Sequence, residues 1–230
     1  MAALLISRPV VGSLTSINNL GMLLQDMGKL EDAEPLFRRA LEGCEATLGK
    51  SHPGTLSSIN NLGMLLKAMG KLEDAEALLR RALEGSEATL GKCHPGTLRS
   101  INNLGLLLQA MGKLEDAEPL LRRALEGREA TLGESHPDTL ISINNLGEVL
   151  FRQRKYNEVE PLAREALKGR RETLGDDHPN TVQSIGNLRA LLEAQGKHDE
   201  ALPLMQLGAP SSAQPTRPLP RSASYCIWTP

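Results

Sequence analysis

Leu56–Thr97 reads LSSINNLGMLLKAMGKLEDAEALLRRALEGSEATLGKCHPGT, and the chain repeats it. The preceding block, Leu14–Thr55, differs from it at seven of 42 positions, and the following one, Leu98–Thr139, at eight. A fourth copy, Leu140–Thr181, has drifted further, and a fifth begins at Val182 and breaks off. Ile17, Ile59, Ile101, Ile143 and Ile185 mark one register throughout. Such a period means stacked supersecondary units, none of which can bury its apolar face alone.

Two helices per repeat follow from the pattern. Leu56, Ile59, Leu62, Gly63, Leu66 and Met69 recur at three- and four-residue steps, the stripe of an amphipathic helix. Pro53 suits its first turn, where a missing N–H does no harm, and Gly70 suits a left-handed stop. The second helix opens on Glu73, Asp74 and Glu76, which its N-terminal dipole favours. It continues through Leu78, Leu79, Ala82 and Leu83 to about Leu90, and Gly91 ends it. Pro35, Pro119 and Pro161 stand near its first turn, so a slight bend is expected there and no break. Gly43, Gly85, Gly127 and Gly169 lie deep in the same helix, each costing about 1 kcal/mol against Ala. Close helix packing is the expected reason, with a hinge as the alternative.

Composition narrows the function. Aromatics are 2% of the chain, so Leu, Ile, Met and Ala must build the core. A net charge of −2 gives no basic stripe for nucleic acid. Cys44, Cys93 and Cys226 are too few and too scattered for a disulfide framework or a zinc site. No stretch approaches a membrane span, and the run Ala2–Ile6 is too short for a secretory segment, so a cytoplasmic location is expected. The expected organisation is an irregular leader over 1–12, a helical array over 13–207, and a Pro/Ser-rich disordered tail over 208–230.

Leu62, Gly63, Ala75, Leu79 and Ala82 resemble the tetratricopeptide pattern. The longer period, with NNLG, AEPL, RAL, TLG and the His-Pro loop, is similar to the repeats of kinesin light chains. The resemblance covers residues 13 to 207 and implies an all-α, right-handed helical-repeat solenoid. It also implies a concave groove lined by the first helices, with cargo-adaptor recognition in that groove. The heptad coiled coil by which kinesin light chains join the heavy chain is not among these residues, so motor attachment is not implied.

By the same resemblance, Asn19, Asn61, Asn103, Asn145 and Asn187 face the groove and hydrogen-bond a ligand's backbone, with Asn18, Asn60, Asn102 and Asn144 beside them. An amide both donates and accepts, so a ladder of them reads an extended peptide without fixing its side chains. The alternative is that these amides bridge adjacent repeats or face water. Helical spacing adds Met64, Lys67 and Phe151 as groove candidates, with Arg99 a basic one. Mixed charge argues against a site dedicated to acidic peptides. His52, His94, His136 and His178 recur at the repeat interval. Stacked helices lie about 10 Å apart, whereas a shared zinc needs nitrogens at about 2 Å, so helix capping is expected and no metal. No catalytic set or cofactor-binding motif stands out. The expected function is a non-enzymatic scaffold binding a protein or peptide segment. Its alternatives are end-to-end self-association and service as a regulatory arm of a larger protein.

Overall fold

The computed structural model describes residues 11–207 and Trp228. The expectations for the leader and the tail therefore fall outside the described residues, apart from positions 11, 12 and 228.

Among the described residues ten helices follow in order: α1 Val11–Asp26, α2 Leu30–Leu48, α3 Pro53–Ala68, α4 Leu72–Leu90, α5 Pro95–Ala110, α6 Leu114–Leu132, α7 Pro137–Arg152, α8 Tyr156–Leu174, α9 Pro179–Ala194 and α10 His198–Leu207. Among the described residues there is no strand. Odd-numbered helices are the first of each pair and even-numbered ones the second. The chain forms two compact units whose boundary falls within α5, after Leu107.

In the first unit α1 packs on α2, α2 on α3, and α3 on α4. Most of the expected stripe is buried: Leu56, Ile59, Leu62 and Leu66 of α3 and Ala75, Leu79 and Ala82 of α4 are at most 3% exposed, whereas Met69, Leu78 and Leu83 are half-buried. Burying a Leu or Ile this fully stabilises by about 1.5–3 kcal/mol. In the second unit α6 through α10 pack in the same consecutive way. Ile143, Leu146 and Leu150 of α7 and Val159, Ala166 and Leu167 of α8 occupy its core.

The small residues have steric reasons. A Cβ on Gly85 would lie 2.5 Å from Leu56 Cδ2, and one on Gly169 would lie 3.0 Å from Leu140 Cδ2. A Cβ on Gly43 would run into Leu14. Close approach of the two helices of a pair is therefore why these glycines stand mid-helix. Helices α2, α6 and α8 run through Pro35, Pro119 and Pro161 without interruption.

The loops between pairs are fixed by the HPxT motif. His52 Nδ1 accepts from the Gly54 N–H at 3.0 Å and caps α3, while Thr55 Oγ1 donates to the Gly49 carbonyl at 2.7 Å. His94, His136 and His178 accept in the same way from Gly96, Asp138 and Asn180. The histidines are caps, as expected for residues preceding a proline at the first helical position.

Candidate functional site: the first-helix face

Successive first helices meet directly. In the first unit Asn61 Nδ2 of α3 donates to Asn18 Oδ1 of α1 at 3.0 Å, and Asn103 Nδ2 of α5 donates to Asn60 Oδ1 at 3.2 Å. Arg99 donates to Ser57 Oγ at 2.7 Å, one repeat back. In the second unit Arg152 reaches from α7 to the Gln109 carbonyl at 3.2 Å. Second helices meet through ion pairs: Arg81 with Glu45, Arg122 with Glu158, and Arg164 with Glu200. Within a unit, side-chain hydrogen bonds from Asn and Arg thus join successive first helices, and ion pairs join successive second helices.

The two Asn sets are not equivalent. Asn60 is 1% exposed; its Nδ2 donates to the Leu56 carbonyl at 3.0 Å and to Ser100 Oγ at 2.8 Å. Asn102 is buried as well, whereas Asn18 and Asn144 are half-buried. In the other set Asn19 is exposed, Asn61, Asn103 and Asn145 are half-buried, and Asn187 is buried. Met64 and Lys67 are half-buried and Arg99 is exposed. Asn18, Asn60, Asn61 and Asn103 thus bridge adjacent repeats. Each amide has a second N–H and further lone pairs, so bridging leaves hydrogen-bonding capacity at the half-buried Asn61 and Asn103.

A second inter-repeat column was not foreseen from the sequence. Ser58, Ser100, Ser142 and Ser184 of the first helices meet Cys44, Ser86, Arg128 and Arg170 of the preceding second helices. Arg170, 3% exposed, donates to Ser184 Oγ at 2.7 Å and the Asn180 carbonyl at 3.0 Å. Burial holds its guanidinium down to about 10. With its amide oxygen turned toward that guanidinium, Asn144 accepts from it at 2.6 and 2.8 Å. The signal was present as a column that drifts from Cys and Ser to Arg while its Ser partner stays fixed.

Phe151 is 3% exposed and packs between Tyr156, at 5.4 Å between ring centroids, and Trp228, at 5.8 Å. Trp228 is 2% exposed, and its backbone N–H donates to Asn187 Oδ1 at 3.3 Å. A buried tryptophan from the Pro/Ser-rich tail is the feature the sequence reading did not anticipate.

The tetratricopeptide repeat family profile matches residues 13–88, 58–130, 96–172 and 138–208. The chain belongs to the tetratricopeptide repeat family. Among solved structures, this tetratricopeptide array is similar to a Podosopora anserina kinesin-light-chain-type protein with nearly identical repeats. The identity is 26% and the TM-score 0.76, over 86% of this chain and 94% of that one. It shares its fold with BtubC (BKLC) from P. vanneervenii at 24% identity and TM-score 0.74, over 91% of this chain and 87% of that one. The Rap protein complexed with Competence and Sporulation Factor shares the fold at 16% identity and TM-score 0.68, over 84% of this chain and 51% of that one. No curated protein matches the chain. The array is of the kinesin-light-chain-like type and a helical-repeat solenoid, a protein–protein interaction scaffold of a fold that typically carries no enzymatic activity. Among the described residues no helix is long and apolar enough to cross a membrane.

Proposed function

We propose that the tetratricopeptide array binds an extended peptide segment of a partner protein along its first helices, holding the backbone with asparagine amides while the ligand supplies a large apolar side chain. The observation that carries this reading is Asn187. Its Oδ1 already accepts a main-chain N–H from a segment outside the helical array, that of Trp228. Asn61 and Asn103 stand at the equivalent register of α3 and α5 and are half-buried, open enough to receive a strand and dry enough to strengthen its hydrogen bonds. Kinesin-light-chain-like cargo or adaptor recognition is the biological form of this reading, and a cytoplasmic setting suits it.

Selection of a random-peptide display library on the full chain tests it. Enriched peptides should carry a large apolar residue, and replacing Asn61 and Asn103 together with Ala should weaken them about tenfold while circular dichroism stays unchanged. Wholly polar ligands, or affinity untouched by the double change, would sink the proposal.

One observation favours a second reading, end-to-end self-association. On α1, Leu20, Met22, Leu23 and Met27 are 47–56% exposed, whereas the equivalent Leu62 and Leu65 of α3 are buried. This edge is apolar in the manner of a surface on which another repeat stacks. Light scattering with a concentration-dependent ladder supports stacking; a monomer at high concentration rejects it.

A further inference from the structure

The column Phe37, Leu79, Leu121 and Ala163 holds one position of the second helices. In the first two repeats that residue packs on the glycine of the NNLG motif. A Cβ on Gly21 would lie 3.2 Å from the Phe37 ring, and one on Gly63 would lie 2.7 Å from Leu79 Cδ2. In the fourth repeat the column carries only a methyl, at Ala163, and the atoms standing over Gly147 belong to the Trp228 indole. Trp228 thus takes the space over α7 that the second helix fills elsewhere with its own side chain. Phe151, one turn further along α7, stacks on the same indole.

The amide ladder is broken at the same place. In the first unit each amide of the Asn61 and Asn103 set donates to the residue one repeat back, Asn18 or Asn60. The corresponding neighbour of Asn187 is Asn144, which the buried Arg170 has captured. Asn187 is 2% exposed; its Oδ1 takes the Trp228 N–H, and its Nδ2 has no hydrogen-bond partner. A buried amide with an unspent donor beside a docked backbone N–H has the donor–acceptor pattern that one residue of an extended strand satisfies.

We propose that the fourth repeat contains a binding slot for an aromatic residue on an extended segment, floored by Gly147 and Ala163, walled by Phe151, read at the backbone by Asn187, and occupied in the resting chain by its own Trp228. The inference rests on the reading of the first helices as the peptide-facing layer, and it names the chemistry that one of their sites accepts. A partner entering here must bring a tryptophan or a comparably large ring and displace the tail, so the carboxy-terminal segment sets the apparent affinity of the site. The tail and the partner compete for one place, so the apparent affinity is the intrinsic affinity multiplied by the fraction of time the slot is open.

The chain has a single tryptophan, so its emission reports the slot directly. Ala163→Leu restores the side chain of the second and third repeats and should fold, yet it fills the space. The emission of the full-length variant should shift to the red, with acrylamide quenching increased about threefold or more. Unchanged emission and quenching would overturn the proposal. In a second arm, the peptide SASYCIWTP, residues 222–230, is labelled with fluorescein and titrated under reducing conditions. Against the full-length Trp228→Ala chain it should bind, at least tenfold more weakly to the unaltered chain, and not at all to the Ala163→Leu, Trp228→Ala double variant. Equal binding to all three, or none to Trp228→Ala, would also overturn it. Both arms lie in the second unit, so their failure leaves the Asn61 and Asn103 test standing.

Discussion

Replacing Asn60 with Ala should destabilise the array far more than replacing its neighbour Asn61. Asn60 is 1% exposed and has three hydrogen bonds: to the Leu56 carbonyl at 3.0 Å, to Ser100 Oγ at 2.8 Å, and from Asn103 Nδ2 at 3.2 Å. The first is local, and its loss is offset because Ala is a better helix former than Asn by up to about 0.7 kcal/mol. The other two tie α3 to α5, and at about 0.5–1.5 kcal/mol each they contribute roughly 1–3 kcal/mol. Asn61 is half-buried with one inter-repeat bond at 3.0 Å, which the helix-propensity gain nearly cancels. The expected costs are therefore about 2 kcal/mol for Asn60→Ala and less than about 0.5 kcal/mol for Asn61→Ala. Urea unfolding of the full chain followed by far-UV circular dichroism measures both. Local opening is possible in a repeat array, so amide exchange in α3 and α5 should show the same ordering. Equal costs, or a larger one for Asn61→Ala, would refute the division of the Asn pair into a structural member and a ligand-facing member.

Further outcomes follow from single positions. Arg154 has φ 60°, where the equivalent Gly112 has φ 76°. A left-handed non-glycine residue is strained, so Arg154→Gly should stabilise by about 0.5–1 kcal/mol in thermal or urea unfolding. Lys197 and then Arg164 hold the Glu160 carboxyl down from 4.5 to about 2. Because the folded value is depressed, this stabilisation is present above about pH 4.5 and lost as pH falls toward 2. Its basic partners are 41% and 47% exposed, which screens the gain to about 1 kcal/mol. Glu160→Gln should therefore cost about 1 kcal/mol at pH 7 and almost nothing near pH 2, as urea midpoints across that range would show. Removing the α7 cap by His136→Ala should cost about 1 kcal/mol and raise amide exchange at Asp138.

Much of the fold is legible in the sequence because the same evidence recurs at a fixed interval. The stripe Leu56, Ile59, Leu62 and Leu66 predicts the buried face of α3, and the mid-helix Gly43 and Gly85 predict close helix packing, which the structure supplies through Leu14 and Leu56. The histidine column reads as capping because Pro follows it, and the structure has it so. What stays hidden depends on single departures from the repeat. Ala163 looks like ordinary drift in a divergent copy, and only with Phe37, Leu79 and Leu121 beside it does it become a missing side chain. Trp228 lies beyond a Pro/Ser-rich stretch, and no helical period leads from that stretch to Gly147. Arg170 was equally opaque, since a charged residue replacing Cys44 and Ser86 reads as solvated until its partners Ser184 and Asn144 are seen.

The central claim is that the first helices are the peptide-facing layer, and side-chain amide NMR tests it most directly. A peptide selected on the full chain is titrated into uniformly 15N-labelled protein while the Asn Nδ2 and the backbone amide resonances are followed. The account predicts that the Asn61 and Asn103 side-chain amides shift together and saturate with the binding curve, and that the backbone amides of α2 and α4, which carry no Asn or Gln, stay in place. Saturating shifts confined to the second helices, with Asn61 and Asn103 unmoved, would contradict it.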